Sequence, residues 1–259
     1  MKTFLLDLDG TMYRGSQIIE SARIFLERLQ ERNIPYIFLT NNAMRTREEN
    51  VIHMENMGYT NISPSSFFNS AMAASKYAKK NYPYTKAYYI GGMGLDQALK
   101  EEGFEITDKD PELVFVGLDK NKNYTDYSKA LAYLLNGAKL IGTNDDRVLA
   151  KPDGFEMGNG SIVAMFEYAS LQKSPQIGKP HAPILELCLE QFHLNKEDVV
   201  LVGDNLETDI SLGYNNGVET IFVQTGVHHE SDIETSGVRP SHVVKDLTEV
   251  NLADFGWNS

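Results

Sequence analysis

Cysteine is almost absent from this sequence: Cys188 is the single one among 259 residues. One cysteine excludes a disulfide within the chain and a zinc site built from several cysteines. On a helix, Cys188 would share a face with Ile184, Leu185 and Phe192. We therefore expect a buried structural thiol rather than a reactive one.

Long apolar runs are missing as well. No stretch approaches the roughly eighteen apolar residues that a membrane-spanning helix needs. The first apolar run covers residues 4–6 and ends at Asp7, which is too short for the core of a secretory signal. The sequence therefore predicts a cytoplasmic protein with no membrane partner.

Positive charge is scarce relative to negative charge. The chain has 24 Lys and Arg residues against 36 Asp and Glu residues, a formal net charge of −12. Nucleic acids and membrane surfaces are anionic, so this balance argues against either as a general partner. A small anionic substrate remains compatible if a local cation offsets the acidic field. The length suits one or two domains.

Strand-like and helix-like patterns alternate along most of the chain, which predicts an α/β fold with a parallel sheet. Buried strands are predicted at residues 3–6, 36–39, 87–90, 113–116, 139–142, 199–202 and 220–223, with a short strand at 176–178. Helices are predicted at residues 18–32, 46–57, 70–80, 95–102, 126–136, 161–171, 183–192 and 208–215. The segment Tyr82-Pro83-Tyr84 marks a boundary, beyond which a second αβ unit begins.

Three of the predicted strands end in polar residues. Asp7 follows the first strand, Thr40 follows the second, and Asp204 follows the strand at residues 199–202 after one glycine. In open α/β sheets, ligands bind at the carboxyl ends of the strands. If the three strands are neighbours, their terminal residues converge on one crevice.

Four carboxylates would then share a small volume: those of Asp7, Asp9, Asp204 and Asp209. Like charges this close raise one another's pKa or require a bound cation. Ligands that are all oxygen favour a hard ion. Mg²⁺ fits best, because it keeps several waters and shares its remaining sites with substrate phosphate. Lys179 can supply a fixed positive charge.

A phosphoryl group explains this mixture of residues. Asp7 can attack the phosphorus and form an aspartyl phosphate. Asp9 can protonate the departing oxygen and then deprotonate the water that resolves the intermediate. The hydroxyl of Thr40 can contact the phosphate oxygens, and Gly10 lets the backbone approach them without a Cβ in the way.

Four ordered motifs in the chain resemble those of the haloacid dehalogenase (HAD) superfamily. They are Asp7-Leu8-Asp9-Gly10-Thr11, Thr40-Asn41-Asn42, Lys179-Pro180 and Gly203-Asp204-Asn205-Leu206-Glu207-Thr208-Asp209. The long insertion between the second and third motifs is similar to the αβ cap of the NagD-like, para-nitrophenyl phosphatase branch. Its supporting segments are Val116-Gly117-Leu118-Asp119, Leu140-Ile141-Gly142-Thr143-Asn144 and Gly158-Asn159-Gly160-Ser161.

The resemblance implies a Rossmann-like core with a parallel sheet at residues 1–81 and 174–259. It implies a cap domain at residues 82–173, inserted between the second and third motifs. It also implies a Mg²⁺-dependent phosphatase that hydrolyses a small phosphorylated metabolite, either a sugar phosphate or a nucleoside monophosphate. A homodimer is a further implication at the level of the family.

The resemblance also assigns roles to the acidic residues. Asp7 is implied as the nucleophile and a metal ligand, and Asp9 as the general acid and base whose backbone carbonyl also touches the metal. Asp204 is implied to bind Mg²⁺ directly or through water, with Asp209 supporting it. Lys179 is implied to orient Asp7 and to offset phosphoryl charge.

The remaining implied residues bind substrate. Gly10, Thr40, Asn41 and Asn42 are implied to hold the phosphate, and residues 11–17 to form a small flap beside the nucleophile. One segment departs from the family: many relatives have Asn-Pro-Asp where this chain has Asn144-Asp145-Asp146. Substrate preference is therefore not carried over through that loop.

Two alternative functions remain open at this point. A phosphomutase would also need both Asp7 and Asp9, but its aspartyl phosphate would have to survive water while the product reorients. A receiver-like module also has a parallel sheet, clustered Asp residues and a Lys. Such modules normally lack a large cap and the second Asp, so the sequence favours the phosphatase.

Overall fold

Residues 1–151 and 154–257 are described by a computed structural model. The chain divides into two units, each with its own internal contacts. The first unit comprises Met1–Thr40, Glu49–Phe68 and Cys188–Ser259, and the second comprises Asn41–Glu48 and Asn69–Leu187.

The strands alternate with helices for most of the chain, as the sequence predicts. The strands are β1 (Thr3–Leu6), β2 (Tyr13–Arg14), β3 (Gln17–Ile18), β4 (Tyr36–Thr40), β5 (Phe67–Asn69), β6 (Lys86–Ile90), β7 (Glu105–Ile106), β8 (Leu113–Val116), β9 (Lys139–Gly142), β10 (Val148–Lys151), β11 (Gly154–Met157), β12 (Val199–Gly203), β13 (Glu219–Val223) and β14 (His242–Val244). The α-helices are α1 (Glu20–Glu31), α2 (Arg47–Glu55), α3 (Ser70–Asn81), α4 (Met93–Glu101), α5 (Tyr124–Leu135), α6 (Asn159–Ser170), α7 (Ala182–Phe192), α8 (Ser211–Asn216) and α9 (Ile233–Ser236). Short 3-10 helices cover Pro64–Ser66, Lys196–Asp198, Glu230–Asp232, Leu247–Glu249 and Leu252–Phe255, and a π-helix covers Leu206–Ile210.

The larger sheet has six strands in the order β14-β13-β12-β1-β4-β5. β1 pairs in parallel with β12 on one side and with β4 on the other, so that Leu6 lies opposite both Val202 and Phe38. All four residues of β1 are buried, because both faces of a parallel sheet are covered. The prediction that the strands before Asp7, Thr40 and Asp204 are neighbours is thus confirmed.

A second, smaller sheet belongs to the second unit. Its order is β7-β6-β8-β9, and all of its pairs are parallel. Two antiparallel strand pairs complete the strands: β2 with β3, which overlaps the flap predicted at residues 11–17, and β10 with β11. The mixed α/β class with a parallel sheet is therefore confirmed.

Each unit has its own apolar core. In the first unit, Phe4 packs edge-to-face on Phe25 with ring centroids 5.4 Å apart, and both rings are fully buried. In the second unit, Val114 and Val116 of β8 join Phe166 of α6 in a separate cluster. Burial of these side chains is the main force that stabilises each unit.

The structure also describes the single cysteine and the apolar character of the helices. The thiol of Cys188 is fully buried on α7, as predicted, and burial raises its pKa. In the described part of the chain, no helix combines the length and the apolar character required to cross a membrane.

Most predicted elements are present, and the differences are local. The strands at residues 3–6, 113–116 and 139–142 have the predicted bounds. The predicted strand at residues 176–178 is wrong: this segment is irregular, and the carbonyl of Ile177 accepts from the N–H of Ile184 on α7 at 3.0 Å. The predicted helix at residues 208–215 is instead a π-helix followed by α8.

The predicted domain bounds remain a prediction. Every strand of the six-stranded sheet lies within residues 1–81 or 174–259, and every strand of the four-stranded sheet lies within residues 82–173. The two units have other bounds, because residues 41–48, 69–81 and 174–187 make their contacts in the second unit.

Candidate active site

Three buried carboxylates come together in the first unit. Asp7, Asp204 and Asp209 each offer one oxygen, and these oxygens lie within 4.8 Å of one another. They come from segments almost 200 residues apart, and the sheet is what unites them. Asp7 and Asp204 directly follow the adjacent strands β1 and β12 at the carboxyl edge.

A hydrogen bond to the sheet holds the backbone of Asp7 in place. Its backbone N–H donates to the carbonyl of Val202 at 2.9 Å, which extends the β1–β12 pairing by one residue. Asp7 is 9% exposed. The carboxylate is therefore built on a rigid strand end.

The π-helix carries Asp209 back toward the sheet. The carbonyl of Asn205 accepts from the N–H groups of both Asp209 and Ile210, and the N–H of Asn205 donates to the Asp209 carboxylate at 3.2 Å. A Cβ on Gly203 would lie 2.3 Å from the Cβ of Asp209. Only glycine at this position lets the helix pass so close, and π-helical turns are often found at functional sites.

Asp204 is fixed by hydrogen bonds to both of its oxygens. The Thr11 hydroxyl donates to Oδ1 at 3.1 Å, and the Val227 backbone N–H donates to Oδ2 at 2.6 Å. Two glycines permit this approach: a Cβ on Gly226 would lie 1.8 Å from Oδ2, and one on Gly10 would lie 2.3 Å from it. Gly10 also has φ +95°, in the left-handed region that favours glycine.

The segment Thr225-Gly226-Val227, just after β13, is part of the site and was missed by the sequence analysis. The Thr225 hydroxyl donates to the carbonyl of Gly10 at 2.8 Å, and Arg14 Nε donates to the carbonyl of Thr225 at 2.6 Å. The segment thus links Asp204, the turn after Asp7 and the β2–β3 hairpin. Its position in the sequence could have identified it, because this segment also follows a strand at the carboxyl edge of the sheet.

Burial and like charge dominate the electrostatics of the site. The pKa of Asp204 is raised to about 8, first by burial and then by the carboxylates of Asp7 and Asp209. The hydrogen bonds from Val227 and Thr11 oppose this rise. A positive charge among the three carboxylates would favour their ionised forms.

The donor set fits a hard divalent cation such as Mg²⁺. All three side chains offer oxygen, the ligand that Mg²⁺ prefers. Two oxygens bound directly to one Mg²⁺ can be at most about 4.2 Å apart, twice the usual bond length of about 2.1 Å. The group, with oxygens within 4.8 Å, is thus near the size for direct ligation.

Asp9 and Thr40 lie in the same unit but in different surroundings. Asp9 is exposed, and its carboxylate is not one of the three that lie together, although the sequence predicts four together. The chain has left β1 by this point and turns toward Tyr13, with which Asp9 forms an isolated bridge. Thr40 is the buried last residue of β4, beside β1.

The other predicted site residues lie in the second unit. Lys179 is buried, and its backbone pairs with the side chain of Asn41: the Lys179 N–H donates to Asn41 Oδ1 at 2.8 Å, and Asn41 Nδ2 donates to the Lys179 carbonyl at 3.0 Å. Asn42 Oδ1 accepts from the N–H of Met44 at 3.1 Å. The structure thus brings Asn41 and Lys179 together across 138 residues of sequence.

Comparisons with known proteins agree with this architecture. A family model described as haloacid dehalogenase-like hydrolase matches residues 4–105, and a second HAD-hydrolase-like model matches residues 176–250. The acid sugar phosphatase of Staphylococcus saprophyticus is 38% identical over 250 residues, covering 96% of this chain and 96% of that protein.

Solved structures give the same result. NagD from E. coli K-12 aligns with a TM-score of 0.88 at 32% identity, covering 97% of this chain and 99% of that one. A double mutant of the thermostable NPPase from Geobacillus stearothermophilus aligns with a TM-score of 0.87 at 36% identity, covering 96% and 98%. The chain therefore belongs to the haloacid dehalogenase-like hydrolases, in their NagD-like, para-nitrophenyl phosphatase branch, and is a phosphatase.

Proposed function

We propose that this phosphatase hydrolyses small sugar phosphates, depends on Mg²⁺ and works through an aspartyl phosphate on Asp7. The observation that carries the proposal is the group of three buried carboxylates at the carboxyl edge of the sheet. The choice of sugar phosphates draws on the 38% identity to an acid sugar phosphatase. Nucleoside monophosphates are the competing substrate class.

In the first step, a carboxylate oxygen of Asp7 attacks the phosphorus. The bond between phosphorus and the ester oxygen breaks, and the leaving alkoxide takes a proton from the Asp9 carboxyl. The fixed backbone of Asp7 supports this role, because the N–H bond to β12 gives the nucleophile a defined starting position. The exposure of Asp9 supports its role, since the water molecule that resolves the intermediate must reach this residue.

In the second step, the Asp9 carboxylate takes a proton from a water molecule, whose oxygen attacks the phosphorus of the aspartyl phosphate. The bond between phosphorus and Asp7 breaks, which releases inorganic phosphate and restores both carboxyl groups. The number of protons on Asp9 is the same before and after the cycle. The water step distinguishes a phosphatase from a phosphomutase.

Asp7 and Asp204 are the residues proposed to hold Mg²⁺, together with the backbone carbonyl of Asp9, and Asp209 supports them. When bound, the ion supplies positive charge that offsets the carboxylates and the phosphate oxygens. Gly10, Thr40, Asn41 and Asn42 are proposed to form the phosphate-binding segments, and Lys179 to supply the second positive charge.

A substrate panel tests the proposal. We expect Mg²⁺-dependent phosphate release from sugar phosphates. The kcat/KM for these substrates should be higher than the kcat/KM for nucleoside monophosphates, which are also phosphate monoesters. Chelation of the metal should abolish release, and added Mg²⁺ should restore it. Release that is indifferent to chelation would contradict the metal, and a preference for nucleotides would contradict the substrate class.

Replacing Gly226 with alanine tests the metal site without turnover. The new Cβ would lie 1.8 Å from Asp204 Oδ2, so the carboxylate or the segment after β13 must move. We expect Mg²⁺ affinity, measured by titration calorimetry, to fall roughly 10- to 100-fold, as for lost supporting contacts at other metal sites. Gly237→Ala is the control for strain away from the site: Gly237 also belongs to the first unit, its φ of +75° disfavours alanine, and no atom lies within 4 Å of its added Cβ. Equal affinities in both variants would exclude this role for Gly226.

Location and assembly remain proposals from the sequence. We propose a cytoplasmic enzyme that acts on a small metabolite, without nucleic-acid or membrane partners, and that forms a homodimer. Cell fractionation and sedimentation analysis of the purified chain test the location and the dimer respectively.

A further inference from the structure

The side-chain amide of Asn41 is fully used within the second unit. Its Nδ2 has two hydrogens, and it donates to the Lys179 carbonyl and to Asp146 Oδ1, both at 3.0 Å. Its Oδ1 accepts from the Lys179 N–H at 2.8 Å. Asn41 is also only 7% exposed. Because no N–H of this amide is left to donate, the side chain cannot also serve as a phosphate ligand.

The pairing holds Lys179 from both sides of its backbone. The side-chain amide of Asn41 bonds to both the N–H and the carbonyl of Lys179, as a neighbouring strand does in a β-sheet. Lys179 is itself 3% exposed. In such a dry environment each hydrogen bond is strong, and a lost partner leaves a buried polar group unpaired. The position from which the Lys179 side chain starts is therefore set by Asn41.

A second asparagine fixes the first. The backbone carbonyl of Asn41 accepts from Asn144 Nδ2 at 2.9 Å and from the Ser70 hydroxyl at 2.6 Å. The Asn144 carbonyl accepts in turn from Asn159 Nδ2 at 3.1 Å. The same Nδ2 of Asn159 donates to the carbonyl of Val116, the last residue of β8. A buried chain of three asparagines thus connects the smaller sheet to Lys179.

We infer that Asn41 and Asn144 are positioning residues for Lys179, and that the side chain of Asn41 acts through Lys179 rather than on the phosphate. The inference rests on the proposed role of Lys179 as the cation for the phosphoryl group. It refines the expectation that Asn41 holds the phosphate, because its side chain acts through Lys179, and it gives Asn144 a role that no motif assigns. A displacement of a catalytic group by about 1 Å can cost roughly 100-fold in rate.

A double-mutant cycle separates the two roles. We expect Asn41→Ala to lower kcat/KM about 100-fold in the otherwise unchanged chain. In the Lys179→Met background, the same substitution should lower it by less than about threefold, because the group through which Asn41 acts is already gone. Asn144→Ala should show the same pattern with a smaller first loss, since Ser70 still donates to Asn41. It serves as the second variant if Asn41→Ala does not fold.

A binding measurement and a stability control accompany the cycle. The affinity for inorganic phosphate, measured by calorimetry, should fall in Asn41→Ala and Lys179→Met, and no further in the double variant. Asn123→Ala is the control: it removes the acceptor of the Thr125 N–H at the start of α5, which lowers stability without contacting Lys179. Its kcat/KM should equal that of the unchanged chain.

The outcomes distinguish the inference from the proposed function. Equal losses from Asn41→Ala in both backgrounds would overturn the inference alone, because the effects of Asn41 and Lys179 would then be independent. Unchanged activity in Lys179→Met would overturn the role of Lys179, and the inference with it. If Asn123→Ala lowered kcat/KM as much as Asn41→Ala does, the effect of Asn41 would be explained by lower stability alone. That result would also overturn the inference.

Discussion

Asp7→Asn is expected to lower kcat by about 10⁴-fold or more, the largest effect of any single substitution in this chain. An amide of the same shape cannot attack phosphorus, whereas it can keep the position of the carboxylate. The backbone N–H of Asp7 stays bonded to Val202, so we expect the fold to be unchanged. Phosphate release and circular dichroism measure the two effects.

The covalent intermediate can be located directly. Rapid quenching during turnover, followed by borohydride reduction, should convert the phosphorylated Asp7 to homoserine, which peptide mass spectrometry detects at this position. Asp110→Asn is the matched control, because Asp110 is exposed and the substitution removes the same charge. Retention of activity within about tenfold in Asp7→Asn would refute the nucleophile, since loss of a covalent nucleophile costs far more than this.

The central strands could be predicted because every residue in them must be buried. β1 and β8 are buried on every residue, and a short apolar run with no charge fits only such a position. Short edge strands carry no such signal: β7 has two residues and β14 has three, none of them buried. Their pairing comes from the neighbouring strand, which the local sequence does not encode.

Some parts of the candidate site could also be predicted from the sequence, and others could not. Asp7 and Asp204 could be placed from sequence, because each follows a buried strand at the carboxyl edge. The π-helical turn before α8 could not, since it depends on the Asn205 carbonyl accepting from N–H groups both four and five residues on. The bond from Asn144 to Asn41 joins residues 103 positions apart, and an asparagine in a loop gives no indication of such a partner.

Asp9→Asn is expected to separate the two chemical steps. With a sugar phosphate, kcat should fall by roughly 10²- to 10⁴-fold, because the alkoxide must then leave without a proton. With p-nitrophenyl phosphate as a probe, the first step should stay fast, since p-nitrophenolate is a weak base that needs no proton. The water step still lacks its general base, so the aspartyl phosphate should accumulate.

This difference predicts a burst that stopped-flow absorbance can measure. Asp9→Asn should release p-nitrophenolate rapidly, up to the enzyme concentration, and then turn over slowly. Asp7→Asn should give no burst, because it cannot form the intermediate, and this variant is the control. If Asp9→Asn slowed both substrates equally and gave no burst, Asp9 would not be the proton donor to the leaving group. The exposed carboxylate of Asp9 would then have to act on charge alone, and the second Asp of the first motif would lose its role in both steps.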